Sequence, residues 1–128
     1  MASAEKKDVL IVDDDKDICE IFKIYCENMK CFNKIIVVFN GADAIHKLQN
    51  HKFGLIVLDM NMPKKSGLEV IQGELTGPSL NKKENVLVLS GNLDPKTVSA
   101  LIQNGLINFL SKPVEEDDFA AKVKKMVS

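Results

Sequence analysis

Apolar residues fall in two alternating patterns along the chain. Short β-branched or otherwise apolar runs occur at Asp8–Val12, Ile35–Phe39, Leu55–Leu58, Val86–Leu89 and Ile107–Leu110. Runs this continuous suit strands buried on both faces of a parallel sheet, where alternation with polar residues would be wrong. Between them lie stretches with helical spacing. Ile18, Ile21, Phe22, Tyr25 and Met29 line one predicted helix face; Ala44, Ile45 and Leu48 line a second after Gly41. Leu68, Ile71 and Leu75 mark a third after Ser66-Gly67. The fourth (Val98, Leu101, Ile102) opens at Asp94-Pro95, with proline in the first turn, and closes at Gly105. The fifth (Phe119, Val123, Met126, Val127) runs from the acidic Glu115–Asp118 to Lys122, Lys124 and Lys125, a charge order that suits a helix dipole.

Five β-α units in succession predict an α/β, doubly wound, five-stranded parallel sheet with helices on both faces. In open sheets of this kind ligands gather beyond the carboxyl ends of the strands, so the residues there decide the chemistry. The first predicted strand leads into Asp13-Asp14-Asp15, the third into Asp59, the fourth into Ser90-Gly91 and the fifth into Ser111-Lys112-Pro113. Carboxylates crowded together repel unless a cation neutralises them. Oxygen ligands without nearby His or Cys point to Mg²⁺ rather than zinc. A carboxylate can attack a phosphoryl group to give an acyl phosphate. That transfer needs mainly alignment and charge neutralisation, to which Lys112 would add a point charge and Ser90 a hydroxyl.

These residues carry a family resemblance. Val9–Asp14 (VLIVDD), Leu58–Pro63 (LDMNMP) with Gly67, the Leu89-Ser90-Gly91 corner and Ser111-Lys112-Pro113 resemble the receiver domains of bacterial two-component response regulators, of the chemotaxis-regulator type. The motifs run in the family's order from about Asp8 to the C-terminus. The resemblance implies a flavodoxin-like (βα)5 receiver fold with strand order 2-1-3-4-5, over residues 8–128, after a disordered segment at 1–7. It implies phosphorylation of Asp59 by a histidine kinase or a His-containing phosphotransfer protein. It assigns Mg²⁺ to Asp13, Asp14, Asp59 and the backbone carbonyl of Asn61, and phosphoryl contacts to Ser90 and Lys112. It further implies a cis Lys112-Pro113 bond, a switch built on Ser90 and Phe109, and output through the face formed by the fourth helix, fifth strand and fifth helix. Ser90 stands where threonine is more usual in the family, and Phe109 where tyrosine is also common, so switching at Phe109 would rest on packing. Asn92, with Asn61, would flank the phosphoryl group.

Composition narrows the alternatives. The 128 residues fit one domain, and 45% hydrophobic content suffices for a single core. A net charge of −1 suggests neither direct nucleic-acid nor membrane-surface binding. No apolar run is long enough to span a bilayer, and Met1–Lys7 lacks the apolar core of a secretory signal. Cys19, Cys26 and Cys31 have no zinc-like spacing and read as packing residues of a reduced, cytoplasmic protein. Asp15, one residue beyond the acidic pair, reads as a helix N-cap, and His46 and His51 as surface residues. No turnover of an external substrate is expected. An aspartyl-phosphate hydrolase would want a second aspartate where Asn61 stands. A pseudo-receiver that binds protein without taking phosphate would lack Asp59, Lys112 or the acidic pair, and all are present. Both a stand-alone regulator and a domain of a longer protein fit the sequence.

Overall fold

Continuous β-branched runs favour extended backbone and can be buried on both sides only inside a sheet covered by helices. The computed structural model describes residues 6–60, 69–70 and 80–127, and it places these runs in one parallel sheet. The strands are β1 (Lys7–Val12), β2 (Phe32–Val38), β3 (Leu55–Asp59), β4 (Val86–Ser90) and β5 (Phe109–Ser111), ordered β2-β1-β3-β4-β5. The described helices are α1 (Lys16–Met29), α2 (Gly41–Asn50), α3 (Pro95–Gln103) and α4 (Glu116–Val127). α3 and α4 are thus the fourth and fifth predicted from sequence. Of the third, Glu69 and Val70 are described and helical. Leu68, Ile71 and Leu75, with Asn61, lie outside the described residues, as do residues 1–5.

The sheet separates two apolar layers. Leu10, Val12, Ile56, Leu58, Val86 and Val88 face one side and pack with Ala44, Leu48 and Leu101. Val9, Ile11, Leu55, Val57, Leu87 and Leu89 face the other and pack with Phe22, Phe119 and Val123. Every residue of β3 and β4 is buried, as central strands with alternating Cβ directions require.

The edges depart from the sequence reading. β2 begins at Phe32, drawn into the sheet by pairing with Lys7, and it ends before Phe39. That ring is 40% exposed and lies 5.5 Å from the Lys16 ammonium. The same pairing puts Lys7 in β1 rather than in the leading segment. β5 is Phe109–Ser111, later than Ile107–Leu110. Gly105, at φ +84°, turns the chain back so that the Leu106 N–H bonds the Leu101 carbonyl and the Leu106 side chain plugs the core; Ile107 is left 66% exposed. On α1 the buried line is Cys19, Phe22 and Cys26, and Ile21 is 45% exposed. Counting the largest apolar residues placed the stripe slightly off, because two small cysteines face the sheet. Cys31 is exposed.

Local signals set the helix ends. The Asp15 carboxylate accepts from the N–H groups of Asp17 (2.9 Å) and Ile18 (3.3 Å), capping α1, and Lys30 in the left-handed region ends it. Asn40 caps α2 and Asp94 caps α3. At the opposite end of the sheet from these caps, His51 Nε2 meets Asp8 Oδ2 at 2.6 Å, and the ring stacks on Phe53. Burial would raise the Asp8 pKa, but His51, Asn33 and the Lys34 N–H outweigh it and hold the carboxyl below its ordinary value. His46 is exposed.

Asn81, 4% exposed, was invisible in the sequence as anything but a loop residue. Its Oδ1 accepts from the Phe53 N–H at 2.7 Å, and its Nδ2 donates to the carbonyls of Leu48 and His51 at 2.9 Å. It satisfies three backbone groups where α2 passes into β3. Asn81→Ala is expected to destabilise the fold by about 1–3 kcal/mol, the cost of stranding buried polar groups. Asn50→Ala, at an exposed helix end, should change stability by no more than about 0.5 kcal/mol; urea denaturation of both variants measures the contrast.

Candidate functional site

Four side chains, those of Asp13, Asp14, Asp59 and Lys112, converge beyond the carboxyl ends of the strands. Asp13 follows β1 directly, Asp59 is the last residue of β3, and Lys112 follows β5. Asp59 and Ser90 thus lie within their strands rather than one residue beyond, which lets the sheet fix their backbones. The parallel register continues into the site: Asp13 N–H bonds the Val38 carbonyl, Met60 N–H the Leu89 carbonyl, and Lys112 N–H the Ser90 carbonyl at 2.8 Å.

Asp13 and Asp59 are 2% and 3% exposed, whereas Asp14 is open to solvent. One carboxylate oxygen from each of the three lies within 4.8 Å of the others. The Lys112 ammonium donates to Asp13 Oδ2 at 3.0 Å and to Asp59 Oδ1 at 3.2 Å. Burial alone would lower the Lys112 pKa, but the hydrogen bond to Asp13 and the charges of Asp59 and Asp13 carry it above the ordinary 10.5. The stabilisation from this pairing is therefore fully present below that ordinary value and fades as pH rises through the higher folded one. Across neutral pH the ammonium stays charged between the two buried carboxylates.

A second layer holds Asp13. Its Oδ1 accepts from the Asp15 N–H at 3.0 Å, and its backbone carbonyl accepts from the Cys19 thiol at 3.3 Å. Burial, and then the charge of Asp13, push the Cys19 thiol up to about 12, so it remains a donor. Sequence gave no sign of this contact, since a thiol bonded to a backbone carbonyl leaves no pattern distinct from a core filler.

Ser90 is 2% exposed, and its hydroxyl is occupied locally: it donates to the Asn92 carbonyl at 3.2 Å and accepts from the Asn92 N–H at 3.1 Å. Asn92 itself is exposed and reaches Asp94. Phe109 opens β5 opposite Val88 and packs, partly buried, against the core that holds Leu101 and Leu106. The Lys112-Pro113 peptide bond is cis. So Asp13, Asp14, Asp59 and Lys112 form one cluster, with Ser90 beside it at the end of β4 and Phe109 three residues before Lys112. An oxygen-only cluster of three carboxylates fits a hard divalent cation such as Mg²⁺, whose ligands are carboxylates, carbonyls and water.

Residues 9–124 match the family described as the response regulator receiver domain. Among curated proteins, the chain is 29% identical over 125 residues to the probable C4-dicarboxylate response regulator DctR of Bacillus subtilis, covering 98% of this chain and 54% of that protein. It therefore spans about half the length of that relative. Among solved structures, the signal receiver domain of a histidine kinase from Syntrophus aciditrophicus superposes with a TM-score of 0.80 at 26% identity, covering 94% of this chain and 89% of that one. The Vibrio cholerae chemotaxis protein CheY4 shares the fold, with a TM-score of 0.81 at 21% identity over 95% of this chain and 99% of that one.

Removing the ammonium leaves crowded buried carboxylates without their cation. Without divalent ions at neutral pH, Lys112→Met is expected to cost about 1–3 kcal/mol. The cost should shrink in an Asp59→Asn background, with a coupling of at least about 0.5 kcal/mol. Equal costs in both backgrounds, measured by urea denaturation, would mean that Lys112 is not engaged with Asp59.

Proposed function

Because this chain belongs to the response-regulator receiver domain family, we propose that Asp59 accepts a phosphoryl group from a phosphohistidine of a histidine kinase or a His-containing phosphotransfer protein. The observation that carries this reading is the Lys112 ammonium bridging the buried Asp13 and Asp59 carboxylates at the strand ends. An Asp59 carboxylate oxygen attacks phosphorus, the P–N bond to imidazole breaks, and an acyl phosphate forms. Lys112 stays beside the reacting oxygen and balances the charge the phosphoryl group brings. Asp13 and Asp14, with Asp59, hold Mg²⁺, which supplies further neutralisation of the phosphoryl oxygens when bound. The backbone carbonyl of Asn61, which lies outside the described residues, would complete the ligand set in this reading. The Cys19 thiol and the Asp15 N–H keep Asp13 in place.

Signalling follows from the same groups. A phosphoryl oxygen competes with Asn92 for the Ser90 hydroxyl, and the turn between β4 and α3 moves with it. Phe109 repacks against the core beneath α3. The face of α3, β5 and α4, on which Ile102 is 55% exposed, then presents a changed surface to a protein target rather than to nucleic acid or membrane. The chain's own chemistry is limited to gaining and hydrolysing the phosphoryl group. Among the described residues no helix is long and apolar enough to cross a membrane, and the reduced cysteines fit a cytoplasmic setting.

The test is intact mass after incubation with a small-molecule phosphodonor. The expected result is gain of one phosphoryl group that requires Mg²⁺, is abolished by a chelator, and is absent in Asp59→Asn. A folded protein that gains none, and that also fails to bind beryllofluoride, would overturn this reading in favour of a pseudo-receiver.

A further inference from the structure

The segment that carries Lys112 is secured from two sides. On the sheet side its backbone N–H bonds the Ser90 carbonyl at 2.8 Å. On the helix side, two residues further on, the Val114 carbonyl accepts a hydrogen bond of 3.2 Å from the Tyr25 hydroxyl of α1. The Lys112 ammonium reaches Asp13 and Asp59 from this segment, so the backbone at 112–114 sets the point from which its stem must span to both carboxylates.

Tyr25 is well suited to hold it. Its ring lies edge-on to Phe22, with centroids 5.6 Å apart at 86°, and against Phe119 of α4 at 5.6 Å. Phe22 and Phe119 also touch, at 5.4 Å, and Phe119 is fully buried. Three rings thus lock one another, and a packed ring leaves the hydroxyl little freedom to swing from the carbonyl. One turn further along α1, Asn28 Nδ2 donates to Glu116 Oε2 at 2.7 Å, at the start of α4. α1 therefore grips the loop at Val114 and the helix that follows it, while its N-terminal turn supports Asp13 through Cys19. Both ends of the Lys112–Asp13 contact are referred to the same helix.

We infer that Tyr25 is a positioning residue: its hydroxyl, through the Val114 carbonyl, sets where the Lys112 ammonium sits between Asp13 and Asp59. The geometric part of this inference stands on the hydrogen bonds alone, and its effect on rate rests on the phosphoacceptor reading above. Tyr25→Phe removes the hydroxyl and keeps the ring contacts, whereas Tyr25→Leu removes both.

The primary readout is the NMR signal of the Lys112 ammonium. In Tyr25→Phe it should move toward the signals of exposed lysines such as Lys124. Phosphoryl uptake from a small-molecule donor at saturating Mg²⁺ should slow about three- to tenfold, the factor that one hydrogen bond of ordinary net strength corresponds to. Tyr25→Leu should melt well below Tyr25→Phe yet take up phosphoryl at a similar rate, because uptake follows the hydroxyl and melting follows the ring. If Tyr25→Phe keeps the wild-type Lys112 signal and uptake rate, the inference is wrong. A wild type that takes up no phosphoryl group, with the Lys112 signal still moved in Tyr25→Phe, would leave the positioning role standing and remove the phosphoacceptor reading instead.

Discussion

Three carboxylates brought to one edge of a sheet repel one another, and two of them are nearly out of water. That repulsion is the constraint around which the site is arranged. Desolvating unpaired charges is costly enough that such groups occur only with a counter-charge or as the neutral acid. Lys112 supplies the counter-charge, bridging Asp13 and Asp59 from the far side of the sheet. Among the described residues, the Lys112 ammonium reaches two of the three carboxylates, and Asp14 stands open to solvent. A divalent cation entering here would meet carboxylates already gathered by the backbone. The sheet carries out that gathering, because the order β2-β1-β3-β4-β5 puts β1 and β3 side by side and sets Lys112 after β5.

The central part of this arrangement was legible in the sequence. Runs such as Leu55–Leu58 and Val86–Leu89 lie in central strands buried on both faces, so tertiary context reinforces their local preference. Asp13, Asp59 and Lys112 could be found because the ends of parallel strands are fixed by topology, and residues there need no knowledge of side-chain contacts to be brought together. The edges were less legible. β2 and β5 each have one neighbour, so pairing with Lys7 or a turn at Gly105 shifts their limits by one to three residues. On α1 the predicted stripe holds at Ile18, Phe22, Tyr25 and Met29 and fails at Ile21, which is exposed, while Cys19 and Cys26, with less hydrophobic signal, complete the buried face.

Outside the helix caps, contacts between side chain and backbone were the least legible of all. Asn81 and Tyr25 bond backbone groups distant in sequence, and the Cys19 thiol bonds the Asp13 carbonyl six residues before it. A backbone partner leaves no complementary residue type for a pattern to reveal. Yet these contacts determine how firmly the cluster is held: Asn81 fixes the entry to β3, Cys19 the carbonyl of Asp13, and Tyr25 the loop after Lys112. The gathered charges come from the topology, and their precision comes from this second set of residues.

The most direct measurement is a Mg²⁺ titration followed through the ¹³C signals of the aspartate carboxyl groups. The predicted result is that Asp13, Asp14 and Asp59 shift together along one saturable curve, while Asp8, at the opposite end of the sheet, stays still. Shifts that never saturate, or that appear equally at Asp8, would contradict a built cation site and leave only an acidic surface screened by added salt.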